Sequence, residues 1–552
     1  MHWKARRTPT SVADHFLDGQ IKASHVASPQ LTLLVASIAF AVFLFWLLFV
    51  PPKRLHHSIN NVPILPCRFP GLGAVGFFGN RYTFLNKMVT KDPARPHEGI
   101  AKFNLFGHIV YHVGSNDEAT MRAIAQNPDL SFSQGNSLLF AGIQGAGQKG
   151  LDDGGEMDAE ERKEMRDLAK AISPRRLADI TPVLASDAVK AFDEWIARSP
   201  KSPTTRAALI DLQQTYYPLI FQFSVRMMGL SEYASAPAEL SKLMWAFWLT
   251  QRNAGFWTTL VPWLPQPQLI KRLVGAATLW IMVRASVKKR IEEGRREDDY
   301  AQTLIDEGHS PGKISRFVIG GLIAGILNTI GTGAYVLAWI GADAKLKKVV
   351  RDEIEDLCKK SAEKRGEVYE ELTNEERLTR VTLEEWESGL ETLMLCFRES
   401  IRFLLTNSIN RYYPGPRRDT KGNVRPRLKL LGHEIEDNAY VVYSPSSNLH
   451  SADAFSDPWR FDPFRYKRGE GQTEYTMVGW GFGHHRCTGI RFAKLETIMA
   501  TATFMLCNDF VTVNDKDEPY GPQEVPLPDL SQLHWREPRR PIRLRVHKLK
   551  SD

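Results

Sequence analysis

One cysteine in this chain stands where a thiolate could do chemistry. Trp480-Gly481-Phe482-Gly483-His484-His485-Arg486-Cys487-Thr488-Gly489 reads as a glycine-rich loop, and an apolar-periodic helix is predicted over 490–506. Glycines in such a loop let the backbone approach a flat cofactor closely. Backbone N–H groups and the positive end of the following helix favour an ionised sulfur. A thiolate so placed can serve as an axial ligand that pushes electron density onto haem iron and favours O–O cleavage. The competing reading is an inert thiol in a turn, the commoner fate of a lone cysteine. The loop alone leaves both open.

Two further constellations set polar groups in apolar surroundings. Glu399 and Arg402 are three residues apart, on one helix face, in a helix expected to begin near Leu383. Leu393, Phe397, Ile401, Phe403 and Leu404 mark that helix as buried, where charges must be paired. Residues 314–340 form a long apolar helix with five glycines, and the length also invites a membrane-span reading. Each glycine costs up to about 1 kcal/mol relative to alanine in a helix. Several together imply close approach of something bulky, or a local distortion. Gly325 and Thr329 fall on one face, and Asn328 lies one turn from Ala324. A threonine hydroxyl beside a metal can hold water and pass protons. Its plainer role is a bond to the carbonyl four residues back.

Taken together, these segments resemble the cytochrome P450 family. Trp480, Gly483, His485, Cys487 and Gly489 fill the places of the family's cysteine signature, with Thr488 where an apolar residue is usual. Pro458-Trp459-Arg460-Phe461-Asp462-Pro463-Phe464-Arg465-Tyr466 resembles the segment that supplies a second arginine to the Glu-x-x-Arg helix. The resemblance implies a buried structural triad of Glu399, Arg402 and Arg465, Cys487 as haem-iron ligand, and His485 on a haem propionate. It implies Arg411, in Asn407-Ser408-Ile409-Asn410-Arg411, as a second propionate partner. Arg166 is a further candidate, although Arg162 stands where the family has tryptophan. Ala324-Gly325-Ile326-Leu327-Asn328-Thr329 resembles the oxygen-activating helix, with one extra residue and Asn in place of the acid. That Asn-Thr pair is similar to the sterol hydroxylase and prostacyclin synthase branch.

The elements that must position these groups are mostly helical. Helical patterning dominates 155–405, and strand-like runs flank it at 100–113, 427–443 and 542–547. The chain has 552 residues, 43% hydrophobic and 24% charged, enough for a large core. Its net charge of +8 is dispersed and mixed with acids, which speaks against nucleic acid. The five cysteines, Cys67, Cys358, Cys396, Cys487 and Cys507, are never spaced as CxxC, so neither a disulfide framework nor a zinc site is expected. Residues 31–50 carry no charge and match a hydrocarbon core of roughly 30 Å. Pro51 and Pro52 end that segment, and positive residues flank both sides, so charge does not set its orientation. The expected layout is a tail (1–30), a transmembrane anchor (31–50), a Pro/Gly-rich hinge (51–74) and a catalytic domain (75–552).

The resemblance implies a mainly α fold, a helical prism with small peripheral sheets, holding haem b. It implies a monooxygenase at the endoplasmic reticulum membrane with its catalytic domain in the cytosol. NADPH would supply electrons through a separate reductase, with cytochrome b5 as a second candidate partner. The substrate would be a hydrophobic small molecule of terpenoid, sterol or polyketide type. Two alternatives stay open: a reductase-independent isomerase or dehydratase acting on a peroxide, and a non-catalytic haem sensor. Phe247, Trp248, Phe256, Trp257 and Trp263 could line an entry channel or be ordinary core aromatics.

Overall fold

A computed structural model of the chain describes residues 34, 37–43, 45, 60–65, 73–89, 99–139, 166–253, 258, 266–406, 408–531, 538 and 540–549. The tail, most of the 31–50 segment and most of the hinge lie outside the described residues, as do Cys67, Arg162, Phe256, Trp257, Trp263 and Asn407. Within 31–50 the described residues are helical, with Leu34, Ile38, Phe40, Val42 and Phe45 exposed.

Helices build the body. They include α1 (Glu118–Gln126), α2 (Phe132–Leu139), α3 (Pro174–Arg198), α4 (Leu212–Met227), α5 (Pro237–Arg252), α6 (Pro267–Glu293) and α7 (Tyr300–Asp306). After them come α8 (Pro311–Ala342), α9 (Ala344–Lys364), α10 (Leu383–Ser388), α11 (Glu391–Leu404) and α12 (Ile490–Cys507). Proline at the first turn opens α3, α5, α6 and α8, where a missing N–H costs nothing. Ser310 caps α8 by accepting from the Lys313 N–H.

Helix α8 is the axle. It packs on α4, α6, α11 and α12, and its second half, from Ile330 onward, is almost wholly buried. The long apolar stretch is thus a core helix, which answers the membrane-span reading. The glycines divide by face. A side chain at Gly321 or Gly333 would collide with Met228 or Tyr216, and one at Gly325 would meet Ser224 Oγ at 3.5 Å. Those three admit helix α4 and its following residue. Gly320 and Gly331 face open space. Close approach is therefore real, but for three of the five glycines the bulky neighbour is another helix.

The sheets are peripheral. β1 (Ile100–Leu105), β2 (His108–Val113), β4 (Ile409–Tyr413) and β7 (Ala439–Tyr443) form one sheet in the order β1-β2-β7-β4. The β2–β7 pair is parallel and the others antiparallel, with Arg411 opposite Val441. β3 (Ala208–Asp211), β8 (Asn508–Val513) and β9 (Arg543–Lys548) form a second sheet, and β5 (Lys429–Leu430) with β6 (His433–Glu434) a two-stranded ribbon. Strands β3, β4 and β8 were not expected from the sequence.

The helix carrying Glu399 does not begin near Leu383. Thr382 and Glu385 make a capping box that starts α10 there, and Gly389 ends it. Leu390 then leaves the helical region, and α11 starts afresh with the Glu353 carboxylate accepting from the Thr392 and Leu393 N–H groups.

Candidate active site

The cysteine loop is held from three sides. Its N–H at Cys487 donates to Trp480 O at 2.8 Å, and Gly481 N–H donates to Val478 O. Gly483 has φ +63° and lies so close to Ala125 at the end of α1 that a Cβ would strike its carbonyl oxygen. A Cβ on Gly479 would lie 2.6 Å from Ile401 on α11. Gly489 sits at the N-cap of α12, and a Cβ there would lie 3.9 Å from the Cys487 sulfur. Cys487 is exposed, whereas Cys358, Cys396 and Cys507 are buried. Partial burial raises the Cys487 thiol and the Gly489 N–H lowers it. A bound cation would deprotonate it outright.

Beside the loop is a buried cation. Arg411 is 3% exposed in β4, with its Nη1 donating to Asn410 O and its Nε buried without a partner. The strand sits where it does because Gly135 of α2 lets the backbones touch, its missing Cβ 2.6 Å from the Arg411 Cα. Burial lowers the Arg411 guanidinium to about 10. Its guanidinium lies 5.2 Å from the Phe132 ring, and His485 stacks on the same ring at 5.2 Å and 16°. Burial, then the positive charge of Arg411, holds His485 down at about 4. Among the described residues no carboxylate pairs with Arg411. Arg166 is at an exposed helical position, with no ion pair among the described residues.

Behind the loop the Glu399 carboxylate gathers two arginines. Arg402 Nε and Nη2 each donate at 2.9 Å, and Arg465 Nε at 3.0 Å. Tyr466 Oη and the Asp462 N–H complete its shell at 2.9 and 3.1 Å. All three charged side chains are within 1% of full burial. Arg402 also donates to Leu449 O, and Arg465 to Ser456 O, Arg460 O and Glu470. Such a cluster is fully satisfied, which is the condition for burying charge.

On α8, Gly320, Ala324 and Asn328 form an exposed stripe at i, i+4, i+8, in the middle of the molecule's central helix. Thr329 lies on the buried side and donates to Gly325 O at 3.0 Å. The hydroxyl is thus satisfied within its own helix, with its lone pairs left to accept.

A matching family model covers residues 409–528: Cytochrome P450. The chain belongs to the cytochrome P450 family. Cytochrome P450 monooxygenase AacuE of Aspergillus aculeatus is 23% identical over 89% of this chain and 93% of its own length. Human lanosterol 14-alpha demethylase is 21% identical over 88% and 89%. A structure titled retinoic acid bound cyanobacterial CYP120A1 shares the fold, with TM-score 0.63 and 17% identity over 89% of this chain and all of that one. The protein is therefore an oxidoreductase with the P450 fold, and its cofactor is haem b. The residues present fit that cofactor. An open thiol at a helix N-terminus suits iron. The unpaired, buried Arg411 beside His485 suits a carboxylate such as a propionate.

Sequence reasoning missed Phe132, which brings Arg411 and His485 together, and Tyr466, a further donor to Glu399. Tyr466 was in plain view beside Arg465. Phe132 carries no local signal, because its partners come from distant strands and loops. It also gave no sign of Glu496 on α12, a buried carboxylate whose oxygens have no hydrogen-bond partner among the described residues. Phe247 and Trp248 prove to be packed among core aromatics, against Phe221 and Tyr217.

Proposed function

We propose that the protein is a membrane-anchored haem-thiolate monooxygenase that places one oxygen atom of O2 into a hydrophobic small molecule of terpenoid, sterol or polyketide type. The observation that carries this is the pairing of an exposed Cys487 at the head of α12 with a buried Arg411 that has no acid to neutralise it among the described residues. Cys487 would ligate the iron, and Arg411 and His485 would hold the propionates, with Arg166 as a further candidate. Gly483 and Gly489 keep the loop close and the sulfur open. Bound there, haem supplies activation of dioxygen, which no side chain provides. Glu399, Arg402 and Arg465 lock the segment that precedes the loop. Thr329 would hold a proton donor toward the cofactor side, and Asn328 would orient water beside it. Asn328 is an amide, so it can position that water but not acidify it.

Electrons would come from NADPH through a reductase, or in part cytochrome b5. Burial lowers Lys494 on α12, and the charges of Arg486 and Arg398 lower it further against the opposing Glu387 carboxylate. Those three cations near the cysteine loop would suit an acidic electron donor. The charge-free segment 31–50 supports anchoring in the endoplasmic reticulum membrane, with the body in the cytosol. Relatives named for lanosterol and a structure titled for retinoic acid support a hydrophobic substrate.

The test compares wild type with Thr329→Ala, with and without reductase. The variant is expected to keep its haem spectrum and substrate binding but release more hydrogen peroxide per NADPH. Tight coupling in the variant would remove Thr329 from the relay. Turnover of a peroxide substrate without reductase would favour an isomerase. Haem loading without NADPH consumption would favour a sensor.

A further inference from the structure

A lysine on the outer strand of a sheet belongs in water, yet Lys102 of β1 is 1% exposed. The whole of β1 is buried, although the order β1-β2-β7-β4 leaves one of its backbone edges to be covered by something else. Residues 60–65 cover it. Lys102 N–H donates to Pro63 O and Leu65 N–H to Lys102 O, both at 2.9 Å, around a parallel bridge between Ile64 and Lys102. Farther on, Ala74 N–H donates to Asn104 O at 2.8 Å, and a Cβ on Gly73 would strike that same oxygen. The stretch expected to be a hinge, 51–74, is thus fastened to the body in two places.

Asn60 accounts for the lysine. Its Oδ1 accepts from Lys102 Nζ at 3.0 Å and from the Val62 N–H at 3.3 Å. Its Nδ2 donates to Tyr111 Oη at 2.8 Å and to Glu434 O at 2.6 Å. An amide side chain has two lone pairs and two N–H groups to offer, and all four are used here. Lys102 Nζ also meets Glu436 Oε1 at 3.2 Å, and Glu436 is itself buried. Val62, 3% exposed, follows the amide into the core. A buried ion pair contributes little stability over apolar side chains of the same volume. An ammonium beneath a strand edge does, however, select a segment that brings an acceptor to it.

We infer that Asn60, Lys102 and Glu436 form a latch that fastens the chain leaving the membrane segment to the edge of β1, and so holds the body on a short tether at the bilayer surface. With the latch closed, the chain from Val50 to Asn60 spans at most about 35 Å. Fastened only at Gly73, it would reach about 80 Å. A body of this size has a radius of gyration of about 23 Å. To turn its attachment point away from the bilayer it needs a tether longer than its own width, which the open latch allows and the closed latch does not. The tether's consequence depends on the membrane-anchored reading; the latch itself does not.

The experiment uses the full-length, haem-loaded protein. In detergent micelles, amide exchange at Leu65 and Lys102 should be slow, and about ten-fold faster in Asn60→Ala, with the β8–β9 amides unchanged. Lys102→Met combined with Glu436→Gln removes the cation without stranding an anion, and should free the same two backbone amides. In phosphatidylcholine vesicles carrying a blue-fluorescent headgroup, the haem quenches the headgroups it is held near. Both variants should lose part of that quenching while keeping the haem spectrum. A Gly/Ser insertion between Ile59 and Asn60 lengthens the tether with the latch closed; it should lose quenching with exchange still slow. Fast exchange at both amides in wild type, or unchanged exchange in Asn60→Ala, would overturn the inference. So would freed amides with quenching equal to wild type. If Asn60→Ala fails to load haem, the double variant and the insertion still decide. If the protein does not bind vesicles, the membrane-anchored reading fails, while exchange in micelles still tests the latch.

Discussion

Cys358, Cys396 and Cys507 are closed off in the core, and burial holds their thiols protonated, the first and last at about 12. Cys487 is open. Cys487→Ala should therefore lose the red-shifted Soret band of the reduced, carbon monoxide-bound protein, and Cys358→Ala should keep it. A second residue-scale expectation concerns His112, buried in β2 against Ser444 Oγ and lowered to about 3 by desolvation. The native state keeps this imidazole neutral, while the unfolded chain protonates it near 6.5. Stability is thus full above about 6.5 and lost as pH falls toward about 3, at up to about 1.4 kcal/mol per pH unit. Thermal melts from neutral to about pH 4 should show a shallower acid decline in His112→Gln. An equal slope in both would assign the acid sensitivity elsewhere. The cysteine was legible in the sequence because its loop, glycines and following helix are contiguous. Glu496 was not, although it lies only nine residues on, because its meaning depends on which helices leave it without a partner.

At the scale of elements, α11 matters more for what it holds than for what it touches. Glu399→Ala would leave Arg402 buried without its anion and Arg465 with Glu470 alone, at a cost of about 3–5 kcal/mol. Little or no haem-loaded protein is expected, read as the ratio of Soret to protein absorbance. Normal loading would mean that Glu470 and the carbonyl oxygens of Leu449, Ser456 and Arg460 satisfy the arginines without Glu399. The apolar spacing around Glu399 made the burial of α11 legible, yet not its start, because a cap supplied by Glu353 of α9 is a tertiary event. Likewise the glycines of α8 announced close packing, while the identity of the neighbour, α4 for three of them, required the fold. Strand β4 was hidden for a related reason. Its Asn410 and Arg411 are polar yet buried, which breaks the alternation by which a half-exposed strand is recognised.

For the whole molecule, the mainly helical architecture with peripheral sheets was legible from periodicity and the order of motifs. The anchor gives a test at this scale. A variant lacking residues 1–50 should keep the thiolate spectrum and move from the membrane to the soluble fraction on sedimentation. Retention with the membrane would place the attachment in the remaining chain. The parallel pairing of β2 with β7 has another consequence. It joins His112 to Ser444, 332 positions apart, and β4 with Arg411 enters that sheet only through β7. Joining such remote segments costs chain entropy and slows folding, whereas single helices form from near neighbours. During synthesis, the helical mass can begin to assemble while the end of the cradle proposed to hold the propionates still lacks strand β7. Cofactor capture is thereby a late event, and a chain stalled before β7 has emerged would carry a half-built pocket with nothing to hold.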